Sequence, residues 1–196
     1  MKTVTYEQFL TFDPCWLVSE KGRRKLQKIG SRKTEWTAID VLNLDEVSKK
    51  DRLWTVLREE FIDAKILHEF ACRCAERALS WIANPDPWSI NAIAVKRKWI
   101  AGKTTDRVLS AAEYAVRSAK WSIGEDVTWY VMAAATEAAM QDARRAALNS
   151  ADAVVNAAWH SAAGTIIWET AQEKERQWQI NELKKMLIEE RVENDN

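Results

Sequence analysis

The residues best suited to chemistry in this sequence are a histidine and a cysteine one helical turn apart. His68 and Cys72 are separated by four positions, which places both side chains on one face of a helix. A thiol beside an imidazole can serve as a nucleophile with its general base. Nothing nearby in the sequence supplies an oxyanion hole or orients the imidazole, so we do not predict cysteine catalysis.

The same pair does not predict a metal site. A structural zinc site needs four ligands, and the next candidate, Cys74, lies roughly 160° around the helix from Cys72. No fourth ligand lies nearby in the sequence. We therefore predict neither a metal nor a cofactor.

A second stretch resembles the end of a phosphate-binding loop. Gly102-Lys103-Thr104-Thr105 has suitable residue types, but the loop also needs a glycine five residues before Gly102, where Arg97 stands. The preceding residues show helical periodicity instead of the required strand. A mainly helical chain without glycine-rich loops is a poor candidate for an enzyme, so we predict a protein that is not one.

Tryptophan offers a third kind of chemistry, the stacking of a flat ligand. Trp129, Trp159 and Trp168 lie along one alanine-rich run, and Arg144 or Arg145 could supply positive charge for a phosphate. These residues predict a nucleotide pocket where the three rings converge. His160 is interpreted as a packed or ligand-contacting residue beside Trp159. The alternative is that the rings fill the core between alanine-lined helices.

Composition limits the classes of function. The 196 residues carry no formal net charge, which gives no general case for nucleic acid or an anionic membrane as partner. No run of ~18 apolar residues is present to span a bilayer, and the first ten residues do not resemble a secretory signal. Three cysteines in a chain of this size indicate free thiols. We expect a cytoplasmic protein.

The chain as a whole predicts an all-α fold. The run from Ser110 to Ala171 holds 19 of the 28 alanines, and alanine pairs at helical spacing allow close packing of helices. We predict a single-domain multi-helix bundle built from helical hairpins, with an Ala/Trp-rich packed core and a long C-terminal helix. N-terminal helices occupy 1–83, a proline-containing connection 84–87, and the Ala/Trp-rich and C-terminal helices 88–196.

Helix boundaries are predicted from capping residues. The expected N-caps are Thr5, Ser19, Thr34, Ser48 and Thr104 or Thr105, with Pro87 in a first turn. Gly30 is expected to end a helix in the left-handed conformation. Further along, we predict a turn at Gly124-Glu125-Asp126, a helix break at Asn149-Ser150 and a bend at Gly164.

The last segment, from Thr165 to Val192, predicts a long charged helix. Ile180, Leu183 and Leu187 form one apolar stripe, and Trp178 lies well off it. Two apolar faces indicate two neighbours, which can be the core of the protein and a second subunit. The alternative is that Trp178 packs its ring on the surface of its own chain.

Two motifs carry a resemblance to a known family. FACRCAERAL from Phe70 to Leu79, and the Arg-Lys-Trp-Ile-Ala-Gly helix end before Lys103, resemble the alanine- and tryptophan-rich immunity proteins of bacteria and phages, with the phage-borne members most similar. The resemblance spans roughly Ile66 to Met186. The residues that match by motif are Cys72, Arg73, Glu76 and Arg77.

The resemblance implies a non-enzymatic protector. Such a protein binds and neutralises a toxin or, in a phage, counters a host defence in the host cytoplasm by capturing a protein or a nucleotide-derived signal. Arg73 and Arg77 would be either structural ion-pair partners or ligand contacts. We therefore predict a binding or inhibitor protein of immunity or anti-defence type. The alternatives are a protein that sequesters a nucleotide signal in the tryptophan pocket, and a structural homo-oligomer formed through the C-terminal helix.

Overall fold

The computed structural model describes residues 2–121, 127–162 and 168–194, and within these ranges the chain is built almost entirely from helices. The all-α prediction is confirmed. In chain order the elements are β1 (Thr3–Thr5), α1 (Tyr6–Leu10), a 3₁₀-helix (Cys15–Val18), α2 (Glu20–Gly30), β2 (Glu35–Thr37), α3 (Ala38–Leu42), α4 (Lys49–Val56), α5 (Ala64–Leu79), α6 (Pro87–Ile100), α7 (Asp106–Lys120), α8 (Val127–Ala138), α9 (Ala143–Ser161) and α10 (Trp168–Asn194).

Helix α5 is the centre of the bundle, and it packs against both α8 and α9. Its buried apolar residues include Leu67, Phe70, Ala71, Cys74 and Ala78. Helices α6 and α7 form a hairpin beside α8, and α10 lies across α9. Buried apolar side chains form one connected cluster that reaches from Val4 to Leu187. In the described part of the chain, no helix is long and apolar enough to cross a membrane.

The N-terminal region contains a feature that the sequence interpretation missed. Strands β1 and β2 pair in an antiparallel ribbon, in which Val4 lies opposite Trp36 and both side chains are buried. A helix was expected to begin after Thr34, but the backbone there is extended. The helix begins three residues later, where the Thr37 side chain accepts a hydrogen bond from the Asp40 amide at 3.1 Å.

Most of the other predicted caps agree with the structure. Thr5, Ser19, Ser48 and Thr105 each accept a hydrogen bond from a backbone amide of the helix they precede, and Pro87 lies in the first turn of α6. Helix α6 ends before Gly102, which has a φ of 68°.

The expected break at Asn149-Ser150 is wrong. Both residues lie inside α9, and Ser150 is buried against the carbonyl of Ala134 on α8. The chain turns earlier, at residues 139–142, where the Asp142 side chain caps α9 through the Arg145 amide at 2.7 Å. The predicted turn at 124–126 and the bend at Gly164 lie outside the described residues.

Gly30 is the last residue of α2, but the conformation expected for it is wrong. It does not adopt the left-handed conformation; among the described glycines that conformation belongs to Gly102. A Cβ at position 30 would lie within 3.0 Å of three ring carbons of Tyr6. Glycine therefore lets the first helix pack closely on the end of the second.

We expect Gly30→Ala to lower the free energy of unfolding by about 2 kcal/mol, because the added methyl group displaces the Tyr6 ring. Urea denaturation measures the loss. The same substitution in a Tyr6→Ala background is the control, and there the loss should be much smaller. Equal losses in both backgrounds would contradict the steric explanation.

Candidate functional site

Four aromatic side chains meet at one end of the α8–α9 hairpin. The rings of Trp129 and Tyr130 are 4.9 Å apart, Tyr130 stacks on His160 at 4.1 Å, and His160 contacts Trp159 at 4.4 Å. All four residues are half-buried. Because α8 and α9 run antiparallel, the start of α8 lies beside the end of α9. Three of the predicted pocket residues, Trp129, Trp159 and His160, therefore lie together. The side chain of Trp168 lies outside the described set.

Sequence reasoning missed Tyr130, although it joins Trp129 to His160. It lies next to Trp129 in the sequence, and the only available signal was its aromatic character. Its ring makes the stacked contact of the cluster, with an angle of 23° between the Tyr130 and His160 planes. Trp129 and Trp159 are therefore linked through a tyrosine–histidine pair.

A groove of about 230 Å³ opens beside this aromatic cluster. Lys120 lies with its Nζ 4.3 Å from the centre of the Trp129 ring, and burial lowers the pKa of this lysine. Glu137 and Asp152 also line the groove, and Asp152 is ion-paired with Arg176 on α10. Lys120 and Arg176, the ion-pair partner of Asp152, balance these two carboxylates, so the groove has no excess of positive charge to favour the phosphate of a nucleotide.

Arg144 lies far from Trp159, with which the sequence analysis combined it. Arg144 lies in the first turn of α9 and Trp159 in its last turn, fifteen residues later. At 1.5 Å per residue the two positions are about 22 Å apart along the helix axis. Arg145 lies in the same first turn and is exposed as well.

Arg73, which matched by motif, belongs to a charged network between α5, α6 and α10. It forms ion pairs with Glu182 and, at 3.4 Å, with Glu69. Arg97 on α6 also pairs with Glu69, at 2.9 Å, and with Glu76. This role of Arg97 was not predicted, because its partners are more than twenty residues away in the sequence.

Arg77 holds the C-terminal helix on α5. Its Nε lies 3.3 Å from the carboxylate of Glu175, a side chain that is almost fully buried. The guanidinium also lies 5.5 Å from the centre of the Trp81 ring and 5.3 Å from that of Trp178. Burial raises the pKa of Glu175, and Arg77 opposes that shift. These contacts support the structural alternative for both motif arginines, and they place Trp178 against its own chain.

The histidine and cysteine considered for catalysis lie in the interior. Burial raises the pKa of Cys72 to about 12 and lowers that of His68 to about 4, so the thiol and the imidazole are both neutral at pH 7. Lys96 lies fully buried nearby, donates a hydrogen bond to the Met140 carbonyl and rests 4.1 Å from the Trp99 ring centre. A protonated, buried thiol is a poor nucleophile.

Metal ligands are not gathered anywhere in the described ranges. No group of three or more histidine, cysteine, aspartate or glutamate side chains there has a geometry that could hold an ion. Cys72 and Cys74 are both buried free thiols.

The outer face of α7 is the most exposed aromatic surface among the described residues. Tyr114 is 71% and Trp121 74% exposed, and the two lie two turns apart on the same side of the helix. The opposite side carries Leu109, Ala112 and Val116 into the core. The sequence interpretation did not single out this face, because alanine and serine surround the two rings.

Comparisons with protein-family models, curated proteins and solved structures found no match to this chain.

Proposed function

We propose that this protein is a non-enzymatic binding protein that covers an acidic surface of a partner protein with the α6–α7 hairpin. The observation that carries the proposal is the outer face of α7, where Tyr114 and Trp121 are exposed together with Arg107 and Arg117. Tyrosine, tryptophan and arginine are the residues most enriched at the energetic centres of protein interfaces.

Charge supports an acidic partner. Residues 87–121 contain seven lysines and arginines but only two carboxylates, Asp106 and Glu113, in a chain with no net charge. Asp106 accepts a hydrogen bond from the Trp99 indole at 2.7 Å, and Glu113 is ion-paired with Arg117. Lys96 and Lys120 are buried, and Arg97 is ion-paired with Glu69 and Glu76 of α5, so the exposed excess of positive charge comes from Lys98, Lys103 and Arg107. Complementary charge on a partner would speed association and set its orientation.

The aromatic residues support a protein as the partner. Trp121 and Tyr114 each offer a large, rigid apolar surface, and its burial against a partner lowers the free energy of the complex. Tyr114 lies within α7, and Trp121 follows it directly as its C-cap with helical backbone angles, so binding requires little ordering of the backbone at these two positions. A rigid face of this kind suits a protein that covers the surface of its partner and catalyses no reaction.

The resemblance described above fits this mode of action. An immunity or anti-defence protein works by binding a toxin or a host-defence protein, and the motif residues Arg73 and Arg77 then serve to hold α10 on the bundle that presents α7. The nucleotide alternative is less well supported, because Glu137 and Asp152 balance the positive charges of Lys120 and Arg176 at the groove beside Trp129. The homo-oligomer alternative would use the exposed Ile188 and Val192 of α10.

Photocrosslinking in cells tests the proposal. The photoreactive residue p-benzoylphenylalanine replaces Tyr114 in one variant and Ile188, which is also exposed, in the control. We expect a protein partner to crosslink at position 114 and not at position 188. A crosslink to nucleic acid, or only to a second copy of the chain, would contradict the proposal.

The purified partner then allows a quantitative test. Tyr114→Ala and Trp121→Ala should each weaken binding by about tenfold or more, because each removes a large aromatic contact. Ile188→Ala should leave the dissociation constant almost unchanged. Biolayer interferometry measures all three, and equal effects at the three positions would exclude α7 as the binding face.

A further inference from the structure

A second groove adjoins the one beside the aromatic cluster. It has a volume of about 370 Å³ and lies between α4, α9 and α10. Asp152 and Asn156 line both grooves, so the two adjoin along α9, and together they are named the α9 groove. Clefts of this size are typical of sites that bind small molecules.

The charges along the α9 groove are balanced. Its described lining carries three cationic side chains and three carboxylates, which are Lys50, Lys120, Arg176, Glu137, Asp152 and Glu173. Because these charges offset one another, the groove has no net attraction for an anion or a cation. A neutral ligand therefore suits it better than a phosphate ester does.

Several polar side chains of the groove are already held in place. The side-chain amide of Asn149 donates a hydrogen bond to the Glu137 carboxylate at 2.9 Å. Arg176 reaches across from α10 to pair with Asp152, and only 11% of the Arg176 side chain is exposed. A ligand that binds these carboxylates therefore loses little conformational entropy in ordering them.

Hydroxyl groups match this lining best, because a hydroxyl both donates and accepts hydrogen bonds. The carboxylates of the groove only accept, and its lysine and arginine side chains only donate. The side-chain amides of Asn156 and Gln172 can do both, and neither makes a hydrogen bond to another described residue. A ligand with many hydroxyls can use all three kinds of group.

One end of the α9 groove is aromatic. The half-buried rings of Trp129 and Tyr130 line it, and the small side chains of Ala133 and Ala153 leave room beside them. The Lys120 ammonium, 4.3 Å from the centre of the Trp129 ring, adds a hydrogen-bond donor. A sugar ring has a face of C–H groups, which packs favourably on the electron-rich surface of an aromatic ring, and an edge of hydroxyls.

We propose that the α9 groove binds a neutral oligosaccharide. One sugar unit packs on Trp129 and Tyr130 with its hydroxyls directed to Glu137, and the following units extend past Asn156 to Gln172. The groove lining does not include Tyr114 or Trp121, so this site is separate from the face assigned to a protein partner. Binding there involves no covalent step.

NMR titration tests the site with four neutral trisaccharides, which are maltotriose, cellotriose, mannotriose and triacetylchitotriose. We expect saturable shifts of the Trp129 indole N–H and the Asn156 side-chain amide with at least one of them. Glycerol at the same concentration of hydroxyl groups is the control for a solvent effect. The proposal is overturned by the absence of a saturable shift with all four, by the same shifts with glycerol, or by tighter binding of adenosine monophosphate than of every trisaccharide.

The length of the groove allows a second test. The trisaccharide that binds should do so about tenfold or more tightly than its own monosaccharide unit, because only the longer ligand contacts both parts of the groove. The same NMR titration gives both dissociation constants. Equal affinities would overturn the assignment to an oligosaccharide.

A variant at the junction of the two parts locates the site. Asn156→Ala should weaken binding of the trisaccharide by about tenfold, because it removes hydrogen bonds to the ligand. Asn181→Ala is the matched control, since Asn181 is an exposed asparagine of α10 outside the groove lining, and it should have little effect. Both asparagines are exposed, so both variants should keep the fold, which circular dichroism checks. Equal effects of the two substitutions would overturn the proposal.

Discussion

Acidification from pH 7 to pH 4 is expected to cost the wild-type protein about 3 kcal/mol more stability than it costs the His68→Phe variant. The pKa of His68 is lowered from 6.5 to about 4, chiefly by burial and also by the nearby charge of Lys96, against an opposing effect of Asp142. Between these two pH values the His68 side chain of the unfolded chain binds a proton, whereas that of the folded protein stays neutral until the pH approaches 4. Stability therefore falls as the pH falls through this range.

The His68→Phe variant is suited to this test because it keeps the shape of the site. The His68 ring meets Trp99 edge to face at 5.0 Å, and its buried Nδ1 has no hydrogen-bond partner, so a phenyl ring can replace it. Urea denaturation at several pH values gives the free energy of unfolding of both proteins. When one free energy of unfolding is subtracted from the other, the contributions of carboxylates that titrate in the same pH range in both proteins cancel. Parallel curves, or an NMR titration of His68 with a midpoint near 6.5, would contradict the prediction.

The helix caps could be predicted from the sequence because each is decided within four residues. The side chains of Thr5 and Ser48 accept hydrogen bonds from the backbone amides of Gln8 and Asp51, and these short-range bonds do not depend on the rest of the fold. The β1–β2 ribbon could not be predicted in this way, because Val4 and Trp36 are far apart in sequence. Its strands are three residues long, too short for an alternating pattern to appear.

The error at the candidate pocket follows from one misplaced helix break. With a break at Asn149-Ser150, Arg144 and Trp159 would lie on different helices, and the fold could bring them together. Asparagine and serine are good local signals for a helix end, but the hydroxyl of Ser150 instead donates to the Ala134 carbonyl on α8. Packing between helices thus outweighed local preference, and one continuous α9 separates the two residues.

The ion-pair network shows a further limit of reading a single sequence. Charge alone does not reveal which carboxylate an arginine will meet across a helix interface. Arg97 faces Glu69 and Glu76 because α6 runs back along α5. The exposed aromatic face of α7 was also hidden, because periodicity identifies the buried side of a helix more readily than the function of the opposite side.

Ala134→Leu is expected to lower the free energy of unfolding by about 3 kcal/mol. Ala134 is fully buried in α8, and the Ser150 hydroxyl of α9 reaches its carbonyl at 3.4 Å, so the two backbones are close. Three additional carbon atoms cannot fit there unless the helices separate or a side chain leaves its preferred rotamer. At roughly 2–4 °C per kcal/mol for a chain of this size, the melting temperature should fall by about 6–12 °C.

Ala111→Leu is the matched control for this test. Ala111 lies in the middle of α7 on its exposed face, so the substitution adds the same atoms to a helix without crowding a neighbour. Its effect on stability should stay within about 0.5 kcal/mol. Denaturant titration and calorimetry measure both variants. If Ala134→Leu were tolerated as well as Ala111→Leu, close packing of α9 on α8 would not depend on the small size of the α8 alanines. The many alanines between Ser110 and Ala171 would then have a different cause.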